Sequence, residues 1–205
     1  MTAWIWAGAV VCYAAFWAWY VGFGGPLTKA EVDAYLAKLS PELGVDAERR
    51  ERMRTFLESD DGGEFFMVNL IRLQPGQVTP PGGGQPAPAM EVLEGYTGPF
   101  MRALLLRGGH PALIGRAAAG YLEEWGVEKN PGWSASGIIR YRSRRDLVEL
   151  ATDPQFAGIH AFKSVAMSNT LAFPIAPARM FFSPRVTAAL LIALVASLLT
   201  RFVGA

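Results

Sequence analysis

An α+β fold carried between two apolar helices follows from three observations. Both ends of the chain are apolar runs almost free of charge, and nearly all the charged residues lie between them. The middle stretch alternates short apolar runs, bounded by Gly, Pro and Asp, with segments of helical period. Their order is strand, helix, strand, strand, helix, strand. A mean hydropathy of +0.21 is high for a water-soluble domain, and the two ends supply the excess.

The first end runs from Trp4 to Phe23 without a charged residue. About 20 such residues, rising 1.5 Å each, span a hydrocarbon layer of roughly 30 Å. Trp4 and Trp6 at one end, with Trp17, Trp19 and Tyr20 at the other, suit the two membrane interfaces. A cleaved signal peptide would need a positively charged start, and no Lys or Arg precedes Lys29. The second end, from Val186 to Val203, is rich in Leu and Ala and has no polar face, which argues against a helix lying in the membrane plane. Arg185 and Arg201 bracket it, where long side chains can reach the headgroups. The expected organisation is a membrane helix at residues 3–23, a helical connector at 27–60, an α+β domain at 64–182 and a second membrane helix at 185–203. Lys29, Lys38, Arg179 and Arg185 lie on the domain side of the helices and only Arg201 on the terminal side, which predicts a two-pass protein with a cytoplasmic middle domain.

Composition narrows the function. A formal net charge of +1 over 205 residues lacks the basic footprint of a nucleic-acid binder. The single cysteine, Cys12, lies in the first apolar run, so neither an internal disulfide nor a multi-cysteine metal site is available.

Within the middle stretch, Thr28 and Glu31 form a capping box for a helix whose apolar spacing is Val32, Tyr35, Leu36 and Leu39, with Ser40-Pro41 as its stop. A second helix is predicted over 46–58. Its Arg49, Arg50, Arg52 and Arg54 resemble a phosphate or headgroup patch, but the interleaved Glu48, Glu51 and Glu58 favour a solvated face. After the Asp60–Gly63 turn, residues 64–73 read as a buried strand. Residues 74–88, rich in Pro and Gly, read as a long flexible loop or lid. Residues 90–107 fit a helix despite Gly98-Pro99. Residues 111–122 and 133–141 fit strands, separated by the Asn130-Pro131-Gly132 turn. A helix over 144–151 breaks near Asp153-Pro154 and resumes through Phe156, Ile159, Phe162 and Ala166. The prolines in 170–182 suit an edge strand. The order β-α-β-β-α-β is the ferredoxin-like one. Apolar residues on both faces of the 64–73 strand require cover on both sides, and a second copy of the domain is the simplest cover for the side without helices.

Several stretches carry a family likeness. Phe66-Met-Val-Asn-Leu-Ile-Arg72, Gly108-Gly-His-Pro-Ala-Leu-Ile-Gly115 and Ile138-Ile-Arg-Tyr-Arg-Ser-Arg-Arg-Asp146, with Asp153-Pro-Gln-Phe156, resemble the family catalogued as domain of unknown function 1330. That family belongs to the dimeric α/β-barrel superfamily, alongside EthD-like proteins and small monooxygenases. The resemblance covers roughly residues 64–182 and implies the fold and a paired domain. It carries over no catalytic residue, because the family has no agreed reaction. The terminal helices, residues 27–58 and the Pro/Gly loop depart from the family pattern and suggest work at a membrane.

Few residues offer chemistry. The two histidines are His110, placed by its glycines in a turn, and His160, on one side of a helix with Phe156 and Lys163. His160 is the candidate proton donor or, as the resemblance to the superfamily implies, a haem ligand as in some of its members, against a plain packed role. Asn69 interrupts an apolar strand on the face of Phe65, Met67 and Ile71, where it could orient a ligand or bond a neighbouring backbone. Arg140 and Arg116 are candidates for a carboxylate, with snorkelling at a sheet edge as the plainer role. Tyr96 and Trp133 belong to a core or pocket rim. The weak catalytic candidates are therefore His160 and Asn69, and the ligand-binding candidates Asn69, Tyr96, Arg140 and His160. No two-ligand metal spacing is present, Gly82-Gly83-Gly84 lacks the Lys-Ser/Thr of a phosphate loop, and the sequence names no cofactor. The expected role is an accessory or structural subunit of a membrane assembly, with self-association or other membrane subunits as partners. The alternatives are a small-molecule enzyme, resembling the cofactor-independent monooxygenases or isomerases of the superfamily, and a membrane-bound ligand sensor.

Overall fold

The computed structural model describes residues 1–39, 46–156 and 158–204, so the expected helix stop at Ser40-Pro41 lies outside the described residues. The chain divides into two compact units, Met1–Phe23 with Pro177–Ala205, and Gly24–Ala176.

The first unit is a pair of helices, α1 (Thr2–Val21) and α7 (Pro184–Gly204), packed on each other. The start of α7 lies beside the later turns of α1. The Arg185 guanidinium sits 5.9 Å from the centre of the Trp17 ring and 5.8 Å from that of Tyr20, and the Tyr13 hydroxyl donates to the Arg185 carbonyl at 3.4 Å. Both helices are long and apolar enough to cross a membrane. Most of their apolar side chains find no cover within the protein.

The second unit is built on a four-stranded antiparallel sheet of β1 (Phe65–Leu73), β4 (His110–Arg116), β5 (Ala135–Tyr141) and β6 (Met167–Ile175), in the order β4-β5-β1-β6. Helix α4 (Ala89–Leu106) follows β1. Helix α5 (Arg144–Ala151), a 3-10 turn at Pro154–Phe156 and α6 (His160–Ala166) follow β5. This is the ferredoxin-like β-α-β-β-α-β order, and the α+β fold between apolar helices is as expected. Pro174 lies on the edge strand β6 and Pro111 on the edge strand β4, where a missing N–H costs no ladder bond to a further strand.

The differences from expectation have local causes. Residues 111–122 are not all strand: β4 stops at Arg116 because its partner β5 begins at Ala135, the residue opposite Arg116. The last strand covers 167–175 instead of 170–182: it leaves α6 directly at Met167, and its pairing with β1 ends at Phe66–Ile175. The Pro/Gly stretch expected as a flexible loop contains a short antiparallel hairpin, β2 (Gln77–Val78) with β3 (Ala87–Pro88), and Val78 and Ala87 pack onto the core under α4. Pro99 lies inside α4 without ending it.

Register separates the two sheet faces. Phe65, Met67 and Ile71 of β1, with Ile139 and Tyr141 of β5, meet the helices, and the Phe65 and Tyr141 rings stack at 5.1 Å. Helix α4 packs closely on α6 at Gly95, where an added Cβ would come within 2.5 Å of the Phe162 ring. A side chain at that position would push the two helices apart.

Helices α2 (Lys29–Lys38) and α3 (Ala47–Glu58) join this unit through a core of Leu27, Val32, Leu36, Leu39 and Leu57 around Val148 of α5. The predicted capping box is formed. The Glu31 N–H donates to Thr28 Oγ1 at 3.3 Å, and the Thr28 N–H to Glu31 Oε2 at 2.8 Å. Glu31 also receives Arg145 of α5 at 2.5 Å.

Bonds from Arg145 first, then from the Thr28 backbone and hydroxyl, hold the Glu31 carboxyl down at about 2 against an ordinary 4.5. A depressed acid stabilises the fold above its unfolded pKa and loses that contribution as pH falls through the folded one. The docking of α2 on α5 is therefore expected to weaken between pH 4.5 and about 2. Amide exchange, corrected for intrinsic rates, checks this. Protection in α2 falls across that window while protection in α4 holds, and Glu31→Gln removes the pH dependence.

Candidate functional site

Where α4 meets α6, the Tyr96 ring is flanked by three side chains. Phe100, one turn along α4, stacks on it at 5.5 Å between ring centres. The His160 ring approaches at 5.5 Å, tilted by 41°, and Lys163 places its Nζ 5.6 Å from the same ring. Helical spacing brings His160 and Lys163 to one side of α6, and the absent side chain at Gly95 lets α6 come close enough for both to reach Tyr96.

The electrostatics follow from burial and like charge. Burial pushes the Tyr96 hydroxyl up to about 12, so it is a proton donor at neutral pH and not a base. Burial, and then the neighbouring charge of Tyr96, raises Tyr141. Burial, then the charges of Lys163 and Arg49, lowers His160 below its ordinary 6.5. Burial and Arg49 lower Lys163 as well. The site thus presents an imidazole, a phenol and a lysine around one aromatic ring.

Of the residues singled out in the sequence, the structure brings Tyr96 and His160 together. Asn69 shares their side of the sheet but is engaged by backbone. Its Nδ2 donates to the Met67 carbonyl at 3.0 Å and to the Gly137 carbonyl at 3.2 Å, which occupies both amide protons. Arg140 lies on the opposite face, since it pairs in register with Phe66 and not with Asn69. The sheet-edge reading of Arg140 is corrected. The residue belongs to the internal strand β5, is only 1% exposed, and is held by Glu64 at 2.6 Å and the Gly108 carbonyl at 2.6 Å. An internal strand offers no edge to snorkel from, so the charge is met by a carboxylate instead. His110, expected in a turn, is the first residue of β4, with Nδ1 3.0 Å from the Pro111 carbonyl. Arg116 ends β4 and is exposed, and the Trp133 Nε1 donates to the Tyr121 hydroxyl at 3.0 Å.

Lys163 and Arg49 are the site residues that the sequence did not single out. Lys163 was visible only as a neighbour of His160 at helical spacing. Arg49 was one of four similar arginines on α3. The structure sorts those four. Arg52 pairs with Glu48, Arg54 with Asp33 at 2.6 Å and Glu58 at 3.4 Å, and Arg50 donates to the Leu36 carbonyl at 2.6 Å and the Leu39 carbonyl at 3.3 Å. Arg49 is the one whose charge acts on His160 and Lys163.

The sheet face away from the helices carries Phe66, Val68 and Leu70 of β1, with Ile175, Phe173 and Leu171 of β6 opposite them. Ile138 of β5 and Leu113 of β4 continue the apolar row. Phe66 is buried, but Leu171, Phe173, Ile175 and Leu113 are 48%, 45%, 40% and 60% exposed. Large apolar side chains left half open on both edge strands of one sheet face are unusual for an isolated domain.

Removing either member of the Arg140–Glu64 pair leaves a buried charge without its counterion, at a cost of about 3–5 kcal/mol. Arg140→Met and Glu64→Gln are each expected to lower the thermal unfolding midpoint sharply. The double variant Arg140→Met with Glu64→Leu recovers most of the loss, because it removes both charges together. Calorimetry of the three variants checks this, and equal losses in all three would contradict it.

No family model and no curated protein matches the chain. Among solved structures, it is similar to the RPA0582 protein of unknown function from Rhodopseudomonas palustris. Identity is 22% over 63% of this chain and 94% of that one, with a TM-score of 0.52. It is similar also to the methylated RPA0582 protein, at 24% identity over 64% of this chain and 93% of that one, with a TM-score of 0.51. At such identities the likeness establishes a shared fold over 63–64% of the chain and carries no activity.

Proposed function

We propose that this chain is a membrane-anchored accessory subunit, held by α1 and α7, whose α+β domain associates with a second copy through the open sheet face. The observation that carries the reading is the half-exposed row Leu171, Phe173, Ile175 and Leu113. A second copy suits it for two reasons. Two charged residues share this face, the exposed Arg72 opposite Asn169 and the buried Arg140, which is met by Glu64, and the row between them is apolar. A patch that is apolar across all four strands can also meet itself about a two-fold axis. This agrees with the resemblance to the dimeric α/β-barrel superfamily.

The anchoring rests on the length and apolar character of α1 and α7. Arg185 at the start of α7, over Trp17 and Tyr20, suits a headgroup-level position. With Lys29, Lys38, Arg179 and Arg185 near the domain-side ends, we place the domain in the cytoplasm and both termini outside. A second reading, a small-molecule enzyme or ligand sensor, is favoured by the cluster of His160, Lys163 and Tyr96.

The test is a two-step extraction. The protein is expected to stay in the membrane pellet through an alkaline carbonate wash and then to leave in mild detergent as a particle of two chains by light scattering. Phe173→Asp is expected to give one chain per particle with unchanged helix content. Release by carbonate alone, or a wild-type particle of one chain at high concentration, would overturn the reading.

A further inference from the structure

The connection from β4 to β5 is a long arm with an apolar tip. Its root is closed twice, by the Ala117 N–H donating to the Ser134 carbonyl at 2.9 Å and by the Trp133 Nε1 donating to the Tyr121 hydroxyl at 3.0 Å. Beyond the root, Leu122, Trp125 and Val127 are 95%, 81% and 66% exposed. Glu123, Glu124 and Glu128 stand among them, exposed and with no ion pair among the described residues. Large apolar side chains held in water add nothing to the stability of an isolated fold.

The arm leaves the sheet at the end marked by the cross-strand row Arg116, Ala135, Ile71 and Thr170. The connections toward α1 and α7 leave at the other end. There Ile175 closes β6 opposite Phe66, and the Leu27 N–H donates to Asp60 at 2.9 Å in the turn before β1. Two copies tethered to one bilayer share their tethered end, so their arm ends also lie side by side. Arg72 stands at the arm end of the open sheet face, opposite Asn169. It is exposed and has no carboxylate at ion-pair distance among the described residues. The root of the arm lies beside it, since a Cβ added at Gly132 would be 3.8 Å from the Arg72 Nε.

We propose that the arm of each copy crosses to a second copy, laying Leu122 and Trp125 on the Leu70–Leu171 end of the partner's open sheet face and setting Glu123 and Glu124 against the partner's Arg72. The inference rests on self-association through that face and names the segment that completes it. Charge and apolarity match on both sides: the tip is apolar and acidic, and the face is apolar with one unmatched cation at that end. Reach is sufficient. Trp125 lies nine positions past Arg116, up to roughly 30 Å of extended chain, and faced sheets stack about 10 Å apart. The glutamates around the tip oppose an anionic lipid surface as its occupant.

The test uses the full chain in mild detergent, with dissociation of two-chain particles followed by light scattering on dilution. Leu122→Ser with Trp125→Ser is expected to weaken the pair at least about tenfold, with helix content unchanged. Glu123→Lys with Glu124→Lys is expected to weaken it about fivefold. Adding Arg72→Glu to the same chain restores the pair, a rescue that a folding defect could not produce. Wild-type particles of one chain would overturn self-association and the arm with it. Two-chain particles whose dissociation is unchanged by the Leu122 and Trp125 substitutions, or whose charge reversal is not rescued by Arg72→Glu, would overturn the arm and leave self-association standing.

Discussion

Everything in the middle domain depends on β1, a strand that is apolar on both faces. Phe65, Met67 and Ile71 point to one side and Phe66, Val68 and Leu70 to the other. A strand of this kind gains little from pairing alone, since pairing satisfies its backbone and leaves both rows of side chains in search of cover. Helices α4, α5 and α6 cover the first row, and they belong to the same stretch of chain. The second row has no comparable helical layer in the order of elements, because β-α-β-β-α-β places both crossovers on one side. The exposed row on β6 and β4 is thus a consequence of topology, not of a local irregularity.

The same constraint explains where polar groups are tolerated. Asn69 enters the helix-side face only because two backbone carbonyls take its amide protons, one of them from Gly137, the residue opposite it in the register. Arg140 stands on the other face in company with Glu64 and the Gly108 carbonyl. Asp146, also buried, is met by Arg142 at 2.6 Å and by the Ser143 hydroxyl at 2.7 Å. Against these matched charges the surroundings of Lys163 differ. It stands over the Tyr96 ring, which His160 also approaches, and among the described residues no carboxylate lies at ion-pair distance from it.

The framework was legible in the sequence wherever the signal was local. The capping box of Thr28 and Glu31, the breakers around 60–63 and the two apolar ends each depend on neighbours in the chain, and the ferredoxin-like order followed from them. Strand ends were not legible, because β4 stops where β5 begins and β6 starts where α6 releases it, and both are decided by a partner distant in sequence. The candidate site was half legible. His160 and Tyr96 stood out by residue type, and the structure joins them. The role of Arg140 did not, because which arginine meets a carboxylate depends on packing between elements distant in sequence. No spacing rule distinguishes Arg49 from Arg50, Arg52 and Arg54.

The central claim is that the open sheet face is covered by a second copy of the chain in the membrane. A bifunctional thiol reagent of short span, applied to native membranes that carry Phe173→Cys in a Cys12→Ala background, tests it most directly. Cross-linking to a species of twice the chain mass is predicted, together with slow reaction of that cysteine toward a bulky maleimide. A cysteine at residue 173 that reacts freely with the bulky reagent and yields no species of twice the chain mass would contradict it.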